Sequence, residues 1–215
     1  MGYPSHVDAV RWIRCAGVTL GAALLLAGLA TAEDQGICLV RAARRQIGVT
    51  LHYDPSYRQI AFPNGDIGQE RGVCTDVLVR AYRALGVDLQ VLIHEDMRDA
   101  FQDYPQLWGL SRPDPNIDHR RVPNLARFFR RHGRVVPPAV PAADGLPGDI
   151  VTWRLPSGVP HIGIVSDRRA PSGTPLVIHN LGRGTVEEDV LLAFPRTGHY
   201  RFLPMGIAGE CDDRE

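Results

Sequence analysis

The period of the apolar residues changes once along this chain, near Gly148. Before that point apolar residues recur every three or four positions, which predicts amphipathic helices. After it, short runs of apolar residues with strand-like spacing are separated by Pro-Ser-Gly turns, which predicts β-strands. Helices followed by a short antiparallel sheet are typical of an α+β domain. The predicted helices are 37–48, 74–85, 89–101 and 125–130, the last with Pro123 or Asn124 at its start, and the predicted strands are 149–153, 161–166, 176–180 and 199–202.

The first 32 residues have the features of a signal peptide. Arg11 and Arg14 precede an apolar run at 16–29, and Ala30-Thr31-Ala32 has the small-x-small pattern of a cleavage site. The run is too short and too rich in alanine and glycine for a stable membrane span. We therefore expect export to the periplasm or the outside, with residues 33–215 forming a single domain.

Composition argues against several classes of partner. The chain carries 24 Lys+Arg and 24 Asp+Glu, so its net charge is zero and nucleic acid is not an expected ligand. It has no cofactor motif, no HExxH and no paired CxxC, so neither a cofactor nor zinc is expected. The alternating Asp114, Asn116 and Asp118 lack the glycine and distal glutamate of a calcium loop, so no metal site is predicted.

Three cysteines follow the predicted cleavage site: Cys38, Cys74 and Cys211. An odd number in an exported protein leaves one free thiol or an intermolecular bridge. Cys38 and Cys211 lie near the ends of the mature chain, and the ends of a compact domain are often close. We expect these two to pair, which leaves Cys74 free.

Cys74 and two histidines form a candidate catalytic trio. Cys74 opens a predicted helix, where unpaired N–H groups and the helix dipole favour the thiolate. His161 begins one predicted strand and His179 lies in the next, so His161 is the expected base and His179 the residue that orients it. Asn180 is the alternative for the orienting role, since neighbouring residues of a strand face opposite sides.

Several further residues are candidates for binding the substrate. The backbone N–H of Cys74, together with Tyr53 or Thr75, could hold the oxyanion of an acyl transfer. Asp76 could cap the helix or hold Tyr53 in place.

The polar segment 104–124 is rich in proline and ends in Asp118, Arg120 and Arg121. A guanidinium is the strongest side-chain device for holding a carboxylate, so Arg120 or Arg121, braced by Asp118, could grip a substrate. The alternative is that these side chains pair with each other or with the rest of the fold.

The order of these segments resembles that of the NlpC-type cysteine peptidases of bacterial cell-wall metabolism. The shared features are a cysteine at a helix start, then Gly-Asp-Ile-Val-x-Trp at 148–153, His-Ile-Gly-Ile-Val at 161–165 and Ile-His at 178–179. The resemblance implies a papain-like fold with N-terminal helices on a short antiparallel sheet. It also implies Cys74 as nucleophile, His161 as base and His179 as orienter. The chain departs from this pattern where Thr75-Asp76 replaces Ser-Gly, and in an insertion at 114–121.

Over its mature length the chain is more closely similar to small exported bacterial proteins grouped as domain of unknown function 1287. That family name carries no activity. The sequence therefore predicts an exported thiol hydrolase that cleaves an amide bond in peptidoglycan peptides. A non-catalytic wall- or protein-binding module on the same fold and a thiol acyltransferase are the alternatives. The segments that carry the similarity are 53–57, 63–66, 72–76, 94–97, 113–120 and 199–201.

Overall fold

The structure is a computed structural model that describes residues 32–137 and 145–204. Nearly all of the predicted signal peptide and the whole of the C-terminal segment with Cys211 lie outside these residues. Within the described ranges two short strands lie between the first two helices, and the other strands follow the last helix. The helices are α1 (Ala32–Arg44), α2 (Cys74–Ala84), α3 (Leu89–Ala100) and α4 (Val122–His132), and the strands are β1 (His52–Tyr53), β2 (Arg71–Gly72), β3 (Arg134–Val135), β4 (Ile150–Arg154), β5 (Pro160–Arg169), β6 (Pro175–Asn180), β7 (Thr185–Glu188) and β8 (Arg196–Arg201).

Six of the strands form one antiparallel sheet in the order β3-β8-β4-β5-β6-β7. The larger hydrophobic core lies between this sheet and the helices, and it includes Leu78 of α2, Phe129 of α4 and Ile164 of β5. A smaller cluster around Trp153 and Val177 is built from alternate residues of the strands. The predicted α+β architecture, with helices packed on a short antiparallel sheet, is confirmed.

The carboxylate of Asp149 joins the entry of β4 to the end of β8. It bonds to Nε2 of His199 at 2.9 Å and accepts two bonds from the guanidinium of Arg201, at 2.6 and 2.8 Å. Gly148 precedes it with φ +83°, and a Cβ there would lie 2.7 Å from the Cα of Gly36. The Gly-Asp and His-Tyr-Arg motifs therefore contain residues that stabilise the fold.

Some elements differ from the sequence prediction. Helix α4 begins at Val122, one or two residues before the predicted start at Pro123 or Asn124, and β7 was not predicted at all. Its sequence Thr-Val-Glu-Glu has little apolar content and follows two glycines, so it gives a weak strand signal. Cys38 is disulfide-bonded and Cys74 is free; the predicted partner of Cys38 lies outside the described residues. No helix within the described ranges is long and apolar enough to cross a membrane.

Candidate active site

Two short strands bring Tyr53 beside Cys74. Strand β1 pairs in parallel with β2, with Tyr53 opposite Gly72, and β2 leads directly into α2, whose first residue is Cys74. Both side chains line a cavity of about 200 Å³. The loop that carries Tyr53 is thus one wall of the cavity that contains the candidate nucleophile.

Asp76 caps the helix that Cys74 opens, which is one of its two predicted roles. Its carboxylate accepts the backbone N–H of Val73 at 2.7 Å, which satisfies one of the donors that a helix start leaves unpaired. The same carboxylate receives Nε and Nη2 of Arg120 at 2.9 and 3.0 Å. This side-by-side pair is buried, since the side chains of Arg120 and Asp76 are 2% and 7% exposed.

The structure assigns Arg120 a role different from the predicted grip on a substrate carboxylate. Besides binding Asp76, its guanidinium donates to the backbone carbonyls of Ser56 and Asp54, at 3.0 and 2.9 Å. The guanidinium thus makes four hydrogen bonds within the protein. They satisfy a buried carboxylate and two loop carbonyls that would otherwise be unpaired. Arg120 anchors the loop after Tyr53 to α2 and so shapes the cavity.

Arg121, the next residue, faces the cavity more openly. Its Nη1 pairs with Asp118 at 3.1 Å, and its guanidinium carbon lies 4.0 Å from the centre of the Trp108 ring. Its side chain is 17% exposed and it lines the cavity together with Trp108 and Ile117. Of the two predicted arginines, Arg121 is therefore the one whose guanidinium is placed to meet a ligand.

The buried carboxylate of Asp118 bonds to two other residues of the insertion at 114–121. One carboxylate oxygen accepts the backbone N–H of Asp114 at 2.5 Å and the other pairs with Arg121. Burial is the main reason why the pKa of Asp118 is raised, and the bond from the backbone N–H of Asp114 and the charge of Arg121 offset part of the rise. Its side chain is 2% exposed. Asp118 is thus placed to brace Arg121, as predicted for one of its roles, and not to contact a ligand itself.

The insertion is also bonded to the loop that carries Tyr53. The hydroxyl of Tyr57 donates to Asp114 at 3.0 Å, and the amide of Asn116 donates to that hydroxyl at 3.2 Å. The backbone N–H of Ile60 donates to the amide oxygen of Asn116 at 3.0 Å. Two loops are therefore joined to each other, and each contributes a residue that lines the cavity, Pro55 and Ile117.

The two histidines of the predicted trio are directly bonded. Nε2 of His161 lies 2.8 Å from Nδ1 of His179, and both rings are buried. The ring of His161 also stacks on Trp153, with centroids 5.8 Å apart. The amide of Asn180 instead donates to the carbonyl of Gly72 at 3.1 Å. Of the two alternatives for orienting His161, the structure brings His179 to it.

A fourth polar residue, Glu188, extends this pair and was not predicted. Its Oε1 lies 3.0 Å from Nε2 of His179. In the register of β6 and β7, His179 is opposite Val186 and Val177 is opposite Glu188. Glu188 is therefore a diagonal neighbour of His179 on the same face of the sheet. Only the pairing of β7 reveals it, and β7 has a weak sequence signal.

The thiol and the imidazole are both neutral at pH 7. Burial raises the pKa of the Cys74 thiol to about 12; the backbone N–H of Ile162 offsets part of this rise, while the charge of Asp76 adds to it. Burial, and then the charge of His179, lower the pKa of His161 to about 3. The expectation of a resting thiolate is thus wrong, because the desolvation of Cys74 outweighs the helix N-terminus. The Ile162 N–H nevertheless places the thiol beside the start of β5, where His161 lies.

Tyr53 is the better placed of the two predicted oxyanion donors. The hydroxyl of Thr75 donates to the carbonyl of Arg120 at 3.1 Å and is occupied there. Burial and then the nearby Cys74 raise the pKa of Tyr53 to about 12, so its phenol keeps its proton at neutral pH. A protonated phenol on the cavity wall can donate a hydrogen bond, as an oxyanion requires.

Comparisons with known proteins identify relatives of the chain. It is 56% identical over 170 residues to "Uncharacterized protein YijF" of Escherichia coli (strain K12), a match that covers 79% of this chain and 83% of that protein. It is also similar to the structure of NlpC1 from Trichomonas vaginalis, with 18% identity and a TM-score of 0.44. That similarity covers 81% of this chain but 46% of NlpC1, so the chain spans less than half of its length. The family model described as domain of unknown function (DUF1287) matches residues 40–202, and the chain belongs to this family.

Proposed function

We propose that this protein is an exported thiol hydrolase that cleaves an amide bond in peptidoglycan peptides. Cys74 is the nucleophile, His161 the base and His179 the residue that orients the base. The observation that carries the proposal is the 2.8 Å bond between the buried rings of His161 and His179. His161 lies on a strand whose first residue, Pro160, lines the cavity that holds Cys74 and whose Ile162 N–H bonds to the thiol. Export rests on the proposed signal peptide at 1–32, with 33–215 as the mature domain.

The proposed reaction begins with proton transfer from the Cys74 thiol to His161. The sulfur attacks the carbonyl carbon of the amide, and the oxyanion that forms accepts the backbone N–H of Cys74 and the hydroxyl of Tyr53. His161 then gives its proton to the leaving amine. Water, deprotonated by His161, attacks the thioester, and the carboxylate product leaves as Cys74 regains its proton.

Because the Cys74 thiol is neutral in the free protein, the thiolate forms only during the reaction. A buried thiol with a pKa of about 12 does not ionise in the free protein. The thiol gives up its proton only when the imidazolium stabilises the negative charge on sulfur and the oxyanion donors stabilise the charge on the substrate oxygen. The proposal therefore places thiol activation in the complex with substrate.

Arg121 is the proposed contact for the peptide. Peptidoglycan stems carry free carboxylates, and a guanidinium with one ion pair can still bind another carboxylate through its remaining N–H groups. The same cavity has apolar walls at Trp108, Val159 and Pro160. A stem peptide offers both features, a carboxylate and apolar side chains.

The test is digestion of purified sacculi, with the products identified by mass spectrometry. The wild type is expected to release peptide fragments with a new amine and a new carboxylate at one bond, and Cys74→Ala is expected to release none. Cys74→Ser is the matched control, since it keeps a small polar group at the same buried position. Turnover by Cys74→Ala at the wild-type rate would remove Cys74 from the mechanism.

A non-catalytic binding module is a second candidate, favoured by the burial of Cys74. Its side chain is 4% exposed and its thiol is protonated at neutral pH. Under this candidate the cavity holds a wall peptide without cleaving it. Binding of soluble muropeptides with equal affinity by wild type and His161→Ala, with no product from either, would select the binding module over the hydrolase.

A further inference from the structure

The buried pair of histidines ends in a carboxylate on the edge strand of the sheet. Nε2 of His179 faces Oε1 of Glu188 at 3.0 Å, and Nδ1 of His179 faces Nε2 of His161 at 2.8 Å. We propose that Glu188 is a positioning residue that acts through His179 and determines which ring nitrogen of His161 accepts the thiol proton. The inference rests on the proposed function of the same site.

The donors and acceptors in the hydrogen bonds that join Glu188, His179 and His161 can be assigned in only one consistent way. A carboxylate accepts hydrogen bonds and does not donate them, so Nε2 of His179 carries the hydrogen. A neutral imidazole has a single N–H, so Nδ1 of His179 has a lone pair and accepts from Nε2 of His161. Nδ1 of His161 is then left without a hydrogen. That atom is the base, and its availability is decided by Glu188.

The rings have little freedom to find other partners. His179 is fully buried, so solvent offers its ring no other donor or acceptor, and His161 is 2% exposed. Glu188 itself lies nearer the surface, with its side chain 28% exposed, and it forms an ion pair with Arg183. The carboxylate of Glu188 is thus the outer end of the series of hydrogen bonds. It fixes the tautomers of the two buried rings.

The same carboxylate favours the charged state that the reaction needs. When Nδ1 of His161 takes the proton from Cys74, the ring becomes an imidazolium whose Nε2–H still points at His179. The negative charge of Glu188 then lies beyond one intervening ring and attracts that positive charge. Glu188 therefore sets the position of the lone pair before proton transfer and favours the imidazolium after it.

The alternative is that Glu188 only satisfies the buried N–H of His179. A structural role of this kind predicts a loss of stability without a change in the tautomer of His161. The two possibilities therefore differ in the tautomer, which can be measured without substrate.

The experiment compares Glu188→Gln with Asp189→Asn, which removes a carboxylate from the next, exposed residue. In wild type and in Asp189→Asn, the ¹⁵N NMR signals of His161 should show hydrogen on Nε2 and a lone pair on Nδ1. Glutamine can also donate, so Glu188→Gln should show a mixture of both tautomers. Its kcat/KM should fall about 10-fold to 100-fold, the size of loss seen when a group that fixes the tautomer of a metal-binding histidine is changed. The Tm of both variants should stay near that of wild type.

An unchanged His161 tautomer in Glu188→Gln would overturn the inference. Glu188→Ala gives the same readout if the glutamine variant does not fold. Failure of the proposed function would look different: the tautomers would shift as expected in Glu188→Gln, while wild type and Cys74→Ala would both leave sacculi intact.

Discussion

Replacing Arg120 by alanine should destabilise the domain far more than the same change at Arg121. The variant leaves the carboxylate of Asp76 buried without its guanidinium and removes two bonds to loop carbonyls. Removing one partner of a buried ion pair costs about 3–5 kcal/mol. At roughly 2–4 °C per kcal/mol for a domain of this size, Tm should fall by about 6–20 °C.

Arg121→Ala is the matched control, since it changes the neighbouring arginine. Arg121 forms one ion pair, and the buried Asp118 keeps the bond from the backbone N–H of Asp114 when Arg121 is removed, so the Tm of this variant should fall by clearly less than that of Arg120→Ala. Thermal unfolding followed by circular dichroism, with the disulfide intact, measures both. The double variant Asp76→Asn/Arg120→Ala should be less destabilised than the sum of the single changes, because no unpaired charge stays buried. The reasoning fails if Arg120→Ala melts within 4 °C of wild type and its only defect is a raised KM.

Two further outcomes are expected. Arg121→Ala should lower kcat/KM for wall peptides about 10-fold, the loss of one charged hydrogen bond, and the loss should be smaller on stems whose carboxylate is amidated; an equal loss on both substrates would exclude carboxylate recognition. For Asp149, burial acts to raise the pKa, but the bonds from His199 and Arg201 outweigh it and lower the pKa below 3.8. A lowered folded-state pKa gives stability that is present above pH 3.8 and is lost as the pH falls through the folded-state value, so urea unfolding of Asp149→Asn should depend less on pH below 4 than that of wild type.

The order of elements could be predicted from sequence because each has its own local signal. The helix after Cys74 and the strands of His161 and His179 are marked by apolar spacing and by glycine or proline at their ends. Their order also carries the resemblance to NlpC-type peptidases. These signals correctly predict that Cys74 begins a helix and that His161 and His179 lie on neighbouring strands.

Other features of the site depend on contacts between distant parts of the chain. Arg120 and Arg121 are equivalent in sequence, and only the turn at 118–120 and the position of Asp76, 44 residues earlier, decide which guanidinium is buried. Glu188 lies on a short polar strand that is defined by its pairing with β6. The protonation of Cys74 depends on burial by residues that the sequence around it does not name.

The neutral state of Cys74 also affects the chain's own redox chemistry. Thiol–disulfide exchange and oxidation to sulfenic acid both proceed through the thiolate. A free cysteine that was ionised at rest would be able to attack the disulfide of Cys38 in the same molecule or in another one. Because Cys74 is buried and protonated, it reacts slowly with disulfides and oxidants, so one chain can keep a disulfide and a reduced thiol together.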